Sequence, residues 1–502
     1  MSRILGVLLI YCLISEASLL AQVDSLSNNK LDANVGLGFV YPSRDFSPFY
    51  LQNNRWGEFQ NEQPTFVFGE LSYQHQFGQR LEMSTGFSFR NNIISSHYVQ
   101  IDYDFLRLNI GRVKNTFGGL RESLSSGSLG QGNNARPIPQ VSLEIKDYID
   151  VPFTNGYFET KGHMSHGWLE EDRYISNALL HSKSFYLKLD LEEEIGWSAA
   201  SGLVHFAQYG GVSPQGDKQL SSFSDFLRVF AGSGIPISGF GTAGEINALG
   251  NHLGIVETTI TQKIGEHMLT INYQKPFEDF GSLQYISLTD YLFGLEWDLP
   301  KVNSLIDKIY LEYIQTKSQG GPGLPDASEF IQTEEDNFGY KFGGRDDMYN
   351  NYLYRSGWTY QGQGIGSPLF LTYERTLNFF DAYPDYGVAI ANNRIRAIHL
   401  GLSGQINPKM GYDGLFTYTQ NFGTYAGLYE GRFAWNGVID DPNFDYVFRP
   451  MREQFYTQIK LKYVDAFNTL PVSFQLRLAY DFGDLYNLFG AEFSISYNLI
   501  KG

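Results

Sequence analysis

Cysteine is all but missing from this chain. The single cysteine, Cys12, lies in Met1–Ala21, a stretch with one early base (Arg3), an apolar run from Ile4 to Ile14 and small residues before a cut after Ala17 or Ala21. This is the layout of a secretory signal peptide. The mature chain, 22–502, is therefore expected to hold no thiol, no disulfide and no cysteine metal site. Ile10 and Tyr11 stand where a lipoprotein would need small residues. Long apolar runs are missing too: beyond the signal nothing approaches the roughly 18 residues of a membrane-spanning helix. Bases are in deficit, 37 against 54 acids for a formal charge of -17. That disfavours nucleic acid as a partner, and a polyanionic glycan would need local basic clusters.

Enzyme signatures are equally scarce. No GxSxG elbow occurs. Gly239-Phe240-Gly241-Thr242-Ala243-Gly244 matches GxGxxG but lacks a strand-turn-helix setting. His163 and His166 do not have the i, i+4 spacing of a zinc helix, and no third ligand is evident. Glu192-Glu193-Glu194 reads as a solvated turn. No catalytic residue, cofactor or metal is expected.

What the chain does hold is aromatic and glycine residues: 34 Tyr, 39 Phe and 6 Trp, 16% of the sequence, with 53 Gly. Short segments alternate apolar and polar residues, among them TFVFGELSYQHQ (Thr65–Gln76), RLEMSTGFSFR (Arg80–Arg90) and YVQIDYDFLRLNI (Tyr98–Ile110). In the third, Val99, Ile101, Tyr103 and Phe105 share one face and Gln100, Asp102 and Asp104 the other. Period two with charges on one face describes a strand between lipid and a wet lumen.

Further strands are expected at 157–162, 180–190, 199–208, 253–262, 267–275, 290–298, 308–316, 352–361, 369–376, 395–405, 414–420, 455–463, 472–480 and 491–499. The last, with Phe493, Ile495, Tyr497 and Leu499 on one face, would pair with the first and leave no edge in lipid. The fold class is all-β: a transmembrane antiparallel outer-membrane barrel of sixteen to twenty strands, an even number. It forms one domain over nearly all of 22–502.

One stretch interrupts this rhythm. Gly111–Ile145 is rich in Gly, Ser and Asn, carries Arg112, Lys114, Arg121 and Arg136, and has no sustained period. Irregular backbone at membrane depth belongs inside protein or in a wet lumen, so the rest of the chain reads as a wall around it. Segments 210–250, 320–351, 379–394 and 425–452 are too long for periplasmic turns. DAYPDYG and DDPNFDY in the last two mix tyrosine with acids, a composition that suits carbohydrate as well as ordinary solvated loops. Asn393-Arg394-Ile395-Arg396 is a second basic cluster. An arginine in a polar lumen serves equally as a ligand group or as the partner of a wall carboxylate.

Six blocks carry a family resemblance. They are Gly111–Pro139, Gly156–Leu189, NALGNHLG (Asn247–Gly254), Asp290–Gly321, DDMYNNYLYRSGWTYQGQGIGSPLF (Asp346–Phe370) and NNRIRAIHLGLSG (Asn392–Gly404). In this order the sequence resembles the capsule assembly protein Wzi family, in the form seen in Bacteroidetes-type bacteria.

The resemblance implies about eighteen strands, a lumen occluded by internal segments, and a non-enzymatic lectin that attaches capsular or related exopolysaccharide to the cell surface. Outer-membrane lipid and the polysaccharide export machinery are the further partners it implies. Segments that line or plug the lumen would hold Asn133, Asn134, Arg136, Trp168, Tyr349, Tyr352, Trp358, Tyr360, Arg394 and Arg396, the candidate glycan-binding residues. Proteobacterial members add an N-terminal helical bundle to the plug; here NVGLGFVY (Asn34–Tyr41) is strand-like, so the plug would come from the Gly111 stretch and other loops. The alternatives are an open porin or transport channel and an outer-membrane hydrolase of lipid or glycan.

Overall fold

The computed structural model describes residues 29–500, apart from 60–62, 117–123, 233–247, 279–289, 301–304, 318, 320–346, 381–386, 425–446, 449 and 468–469. The signal segment, Arg121, the GxGxxG match and the DDPNFDY loop lie outside the described residues, as does all of DAYPDYG but its glycine.

Alternation has the expected result. Eighteen strands close into one antiparallel barrel. They are β1 (Asn29–Pro42), β2 (Thr65–Phe77), β3 (Leu81–Arg90), β4 (Ile93–Tyr103), β5 (Leu106–Arg112), β6 (Gln140–Ile145), β7 (Phe158–Trp168), β8 (Leu179–Leu191) and β9 (Trp197–Tyr209). The wall continues through β10 (Asn251–Ile264), β11 (His267–Phe277), β12 (Tyr291–Asp298), β13 (Lys308–Gln315), β14 (Ile395–Asn407), β15 (Met410–Asn421), β16 (Arg452–Tyr463), β17 (Val472–Gly483) and β18 (Leu488–Ile500).

Each strand pairs with its neighbour in sequence, β6 being extended by Ile149–Asp150, which also pairs with β7. β18 closes on β1 in a register that sets Phe493 against Phe39 and Ile495 against Leu37. No edge is left unpaired, which a bilayer requires. The outward face is an apolar belt, with Phe39, Leu71, Phe185, Phe293, Trp297, Ile398 and Tyr480 all exposed.

The long connections 43–64, 113–139, 210–250, 316–394 and 422–451 all leave one rim, while tight turns at 78–80, 104–105, 265–266 and 408–409 share the other with the chain termini. By the convention of such barrels the terminal rim is periplasmic.

Inward residues change character along the strands. In the periplasmic half they are polar and ion-paired across neighbouring strands: Arg107 Nε lies 2.8 Å from Asp102, Lys188 Nζ 3.0 Å from Glu159, and Lys460 pairs with Asp413. In the outer half the lumen is filled. A core of Phe49, Leu124, Leu129, Phe206, Tyr349, Trp358, Tyr360, Ile365 and Ile395 joins wall to internal segments. Burying each large apolar side chain is worth roughly 1.5–3 kcal/mol.

The internal backbone needs partners in place of water, and polar wall residues supply them. The helical turn Phe49–Gln52 donates Phe49 N–H to Asp481 Oδ2 (2.6 Å). Ser125 Oγ and Ser126 N–H donate to the two oxygens of Glu312, both at 2.7 Å, and Leu129 N–H to Gln274 Oε1 at 2.9 Å.

The stretch that interrupts the sequence rhythm is thus a plug element over 124–139, but its last part, Gln140–Ile145, is wall strand β6, too short to show a period. Three expected strands are corrected. Tyr98–Ile110 is not one strand: the chain turns at Asp104–Phe105, where Asp104 takes a positive φ, and divides between β4 and β5, which pair with each other. Segments 352–361 and 369–376 are not wall. They fold inside the lumen, where, among the described residues, two small ladders form, Thr359–Tyr360 with Gln363–Gly364 and Leu371–Thr372 with Ile390–Asn392. Their apolar content serves burial on every side rather than a lipid face.

The wall is also shaped for the plug. At inward Gly401 a Cβ would lie 2.4 Å from the carbonyl oxygen of Leu124. Gly401→Val is therefore expected to lift the 124–139 segment from the wall and lower stability by about 1–3 kcal/mol, as overpacking does. The heat-modifiable band on gels should convert at a lower temperature; an unchanged midpoint would show that the plug yields freely there.

Candidate functional site

At the long-loop rim the β7–β8 connection, 169–178, meets the internal segment 347–394. Arg173 ties them: its guanidinium reaches Glu170 Oε2 (3.2 Å), Thr359 O (3.2 Å) and Gly357 O (3.4 Å). Burial pulls this arginine below its ordinary pKa, with the Glu170 carboxylate opposing. Glu170 Oε1 accepts Gln361 N–H at 3.0 Å, and Tyr174 N–H donates to Ser356 Oγ at 2.9 Å.

Between the segments opens a cleft of about 340 Å³ lined by Tyr174, Tyr373, Arg355, Glu170, Asp172 and Glu374. The Arg355 guanidinium stacks over the Tyr174 ring, 4.9 Å from its centroid, and its Nε donates to Tyr352 O at 3.1 Å. Aromatic faces, three carboxylates and a guanidinium around a shallow cleft are the groups that hold a sugar: rings for its CH faces, charged acceptors and donors for its hydroxyls.

The residues expected from the sequence divide into four positions. Tyr349, Trp358, Tyr360, Asn133, Asn134 and Arg394 are buried in the plug. Trp358 Nε1 donates to Gly130 O (2.6 Å) and Asn134 Nδ2 to Gly364 O (2.9 Å), while Arg394 holds Lys317 O. Arg136 is partly buried, and burial with nearby Arg112 lowers its pKa. Tyr352 stands 62% exposed at the rim. Trp168 and Arg396 do not line the lumen: strand parity turns them outward, since Gly167 faces Ile138 of the plug and His399 Nε2 reaches Leu124 O inside. Trp168 packs edge-on against His166, and Arg396 Nε donates to Gln315 Oε1 at 3.0 Å.

His163 and His166, three positions apart on β7, fall one inward and one outward. Among the described residues no group of three or more His, Cys, Asp or Glu could hold a metal. The sequence reading passed over Tyr174, Arg355 and Tyr373. The first two stand inside the resemblance blocks, in EEDRYISN and LYRSGW, but only folding shows that these blocks meet.

A closed eighteen-stranded antiparallel barrel with an apolar outward belt and, among the described residues, no helix long and apolar enough to cross a membrane is an outer-membrane β-barrel protein. No protein-family model matches the sequence, and no curated protein matches it. Among solved structures the chain is similar to Wzi, an outer-membrane protein involved in group 1 capsule assembly in Escherichia coli and a carbohydrate-binding β-barrel, at 11% identity and a TM-score of 0.54, over 96% of this chain and 87% of that one. It also matches Pseudomonas aeruginosa OprD (8% identity, TM-score 0.43, 94% of each chain) and OccK10 (9% identity, TM-score 0.44, 94% of this chain and 99% of that one). The first match shows a shared barrel fold.

Proposed function

We propose that this protein is a non-enzymatic lectin that holds capsular or related exopolysaccharide at the cell surface. The observation that carries the reading is the packed apolar core in the outer half of the lumen, which leaves a supported rim where a channel needs an opening. The long-loop rim faces outward by barrel convention and presents the Tyr174–Tyr373 cleft. Wzi, the carbohydrate-binding barrel of like fold, agrees with the same role. A polymer gripped at such a cleft on many copies is retained by avidity although each contact is weak. Export machinery would deliver the polymer, and outer-membrane lipid surrounds the belt.

Binding of purified surface polysaccharide to the purified full-length protein tests this. The double substitution Tyr174→Ala with Tyr373→Ala is expected to weaken binding at least about tenfold, the loss of two stacking platforms, while the protein still inserts and keeps its heat-modifiable mobility. Unchanged affinity would remove the cleft from the site. The channel reading predicts instead large, stable single-channel steps in planar bilayers.

A further inference from the structure

Beside the plug segment 43–64, where β2, β3, β17 and β18 line the lumen, a polar cavity of about 250 Å³ has an excess of positive charge in a chain that is acidic overall. Its lining includes five bases and three acids. Two of those acids are already engaged: Lys114 Nζ lies 2.8 Å from Glu58 and 3.5 Å from Glu70. The third, Glu492, faces three arginines at once. Arg55 takes both its oxygens, at 2.7 and 2.9 Å, and Arg90 Nη2 donates to Oε2 at 3.1 Å.

Arg477 is left over. Its Nε stands 3.6 Å from Glu492 Oε1 and has no hydrogen-bond partner among the described residues. The arginines are held rather than loose, Arg90 lying 3.5 Å over the Phe66 ring. Lys462, Ser473 and Ser494 complete the wall beside Arg477. Glu58 and Asp413 also attract these guanidiniums, but each is already paired with a lysine, Lys114 and Lys460, so the arginines keep an excess of positive charge withdrawn from bulk water, and a guanidinium fork is shaped for a second oxyanion.

We infer that this cavity binds a small organic anion, phosphate- or carboxylate-bearing, which enters from the periplasmic rim. A neighbouring cavity of about 400 Å³ shares Asn34 and Glu70 with it and reaches Asp32, Asn498 and Ile500 near the chain termini, giving the route. The anion closes the charge balance left by Arg477 and ties wall strands β17 and β18 to Arg55 of the plug. This site is separate from the rim cleft and does not rest on the glycan reading.

Titration calorimetry on the purified full-length protein in detergent tests it, with inorganic phosphate as one probe and galacturonate as the other. Saturable binding of phosphate, of galacturonate or of both supports the site and distinguishes the two oxyanion sources. Arg477→Gln is expected to weaken that binding at least about tenfold, the scale of a lost bidentate charge-assisted contact. Should Arg477→Gln fail to give a heat-modifiable barrel, Lys462→Gln, on an exposed lumen side chain, is expected to weaken it several-fold. No saturable binding of either probe at millimolar concentration would overturn the inference, as would binding that both folded variants leave intact.

Discussion

Glu492→Ala is expected to lower the unfolding midpoint of the barrel sharply, with a loss of about 3–5 kcal/mol, because removing one partner of a buried ion pair strands the other charge. Here three guanidiniums are stranded. Arg55 and Arg90 make their hydrogen bonds to this carboxylate with side chains 10% and 7% exposed, against 2% for Glu492. The effect reaches beyond the wall, since Arg55 belongs to the segment between β1 and β2 that also carries the Phe49–Gln52 turn. The same Arg55 Nη1 also donates to Leu51 O at 2.7 Å. Arg55→Leu combined with Glu492→Leu should recover part of the loss, because an apolar pair of similar volume leaves fewer stranded charges. Thermal conversion of the folded band on gels, followed for the single and double variants, measures both. A loss below about 1 kcal/mol in Glu492→Ala, the value of a solvated surface pair, would show that water already screens the cluster.

The second large effect is expected at Trp358. Its side chain is 1% exposed in the centre of the plug, packed 5.2 Å from the Phe206 ring of the wall and bonded through Nε1 to Gly130 O. Trp358→Ala should cost about 3–5 kcal/mol through the cavity it leaves. Its neighbours Gly357 and Thr359 supply the carbonyls that hold Arg173 under the cleft, so the rim should loosen as well. Two readouts follow: current in planar bilayers rises above that of the native protein, and glycan retention falls although the barrel still inserts. Tyr360→Ala, 1% exposed in the same cluster, is expected to act in the same direction. Retention unchanged in both variants would separate the plug from glycan binding.

Most of the wall is legible in the sequence because the signal is local. In β12, Tyr291, Phe293, Leu295 and Trp297 fall on one face, and in β17 Val472, Phe474, Leu476, Leu478 and Tyr480 do. The structure turns both sets outward, with Phe293, Trp297 and Tyr480 exposed. Closure of the terminal strand on Asn34–Tyr41 follows from the same logic.

The plug is legible only as a departure from that period. Segments 352–361 and 369–376 carry enough Tyr, Trp and Leu to imitate wall strands, and nothing local separates a side chain buried in a plug from one facing lipid. The cleft depended on a longer reach still: Arg173 and Thr359 meet across 186 positions of sequence, so Tyr174 and Tyr373 could not be paired by inspection. Trp168 and Arg396 show the converse. Their outward direction was available from parity with Ser165 and His399, whereas the resemblance blocks placed them inside.

The occluded barrel is proposed to anchor polysaccharide. Its most direct test is the ratio of polysaccharide shed into the medium to polysaccharide retained on cells, measured with and without the protein at equal total synthesis. Cells without it are expected to shed most of their surface polysaccharide, and restoring the native chain, but not the Tyr174→Ala, Tyr373→Ala variant, should return it to the cell. Cells that keep all their surface polysaccharide without the protein would contradict the anchoring role.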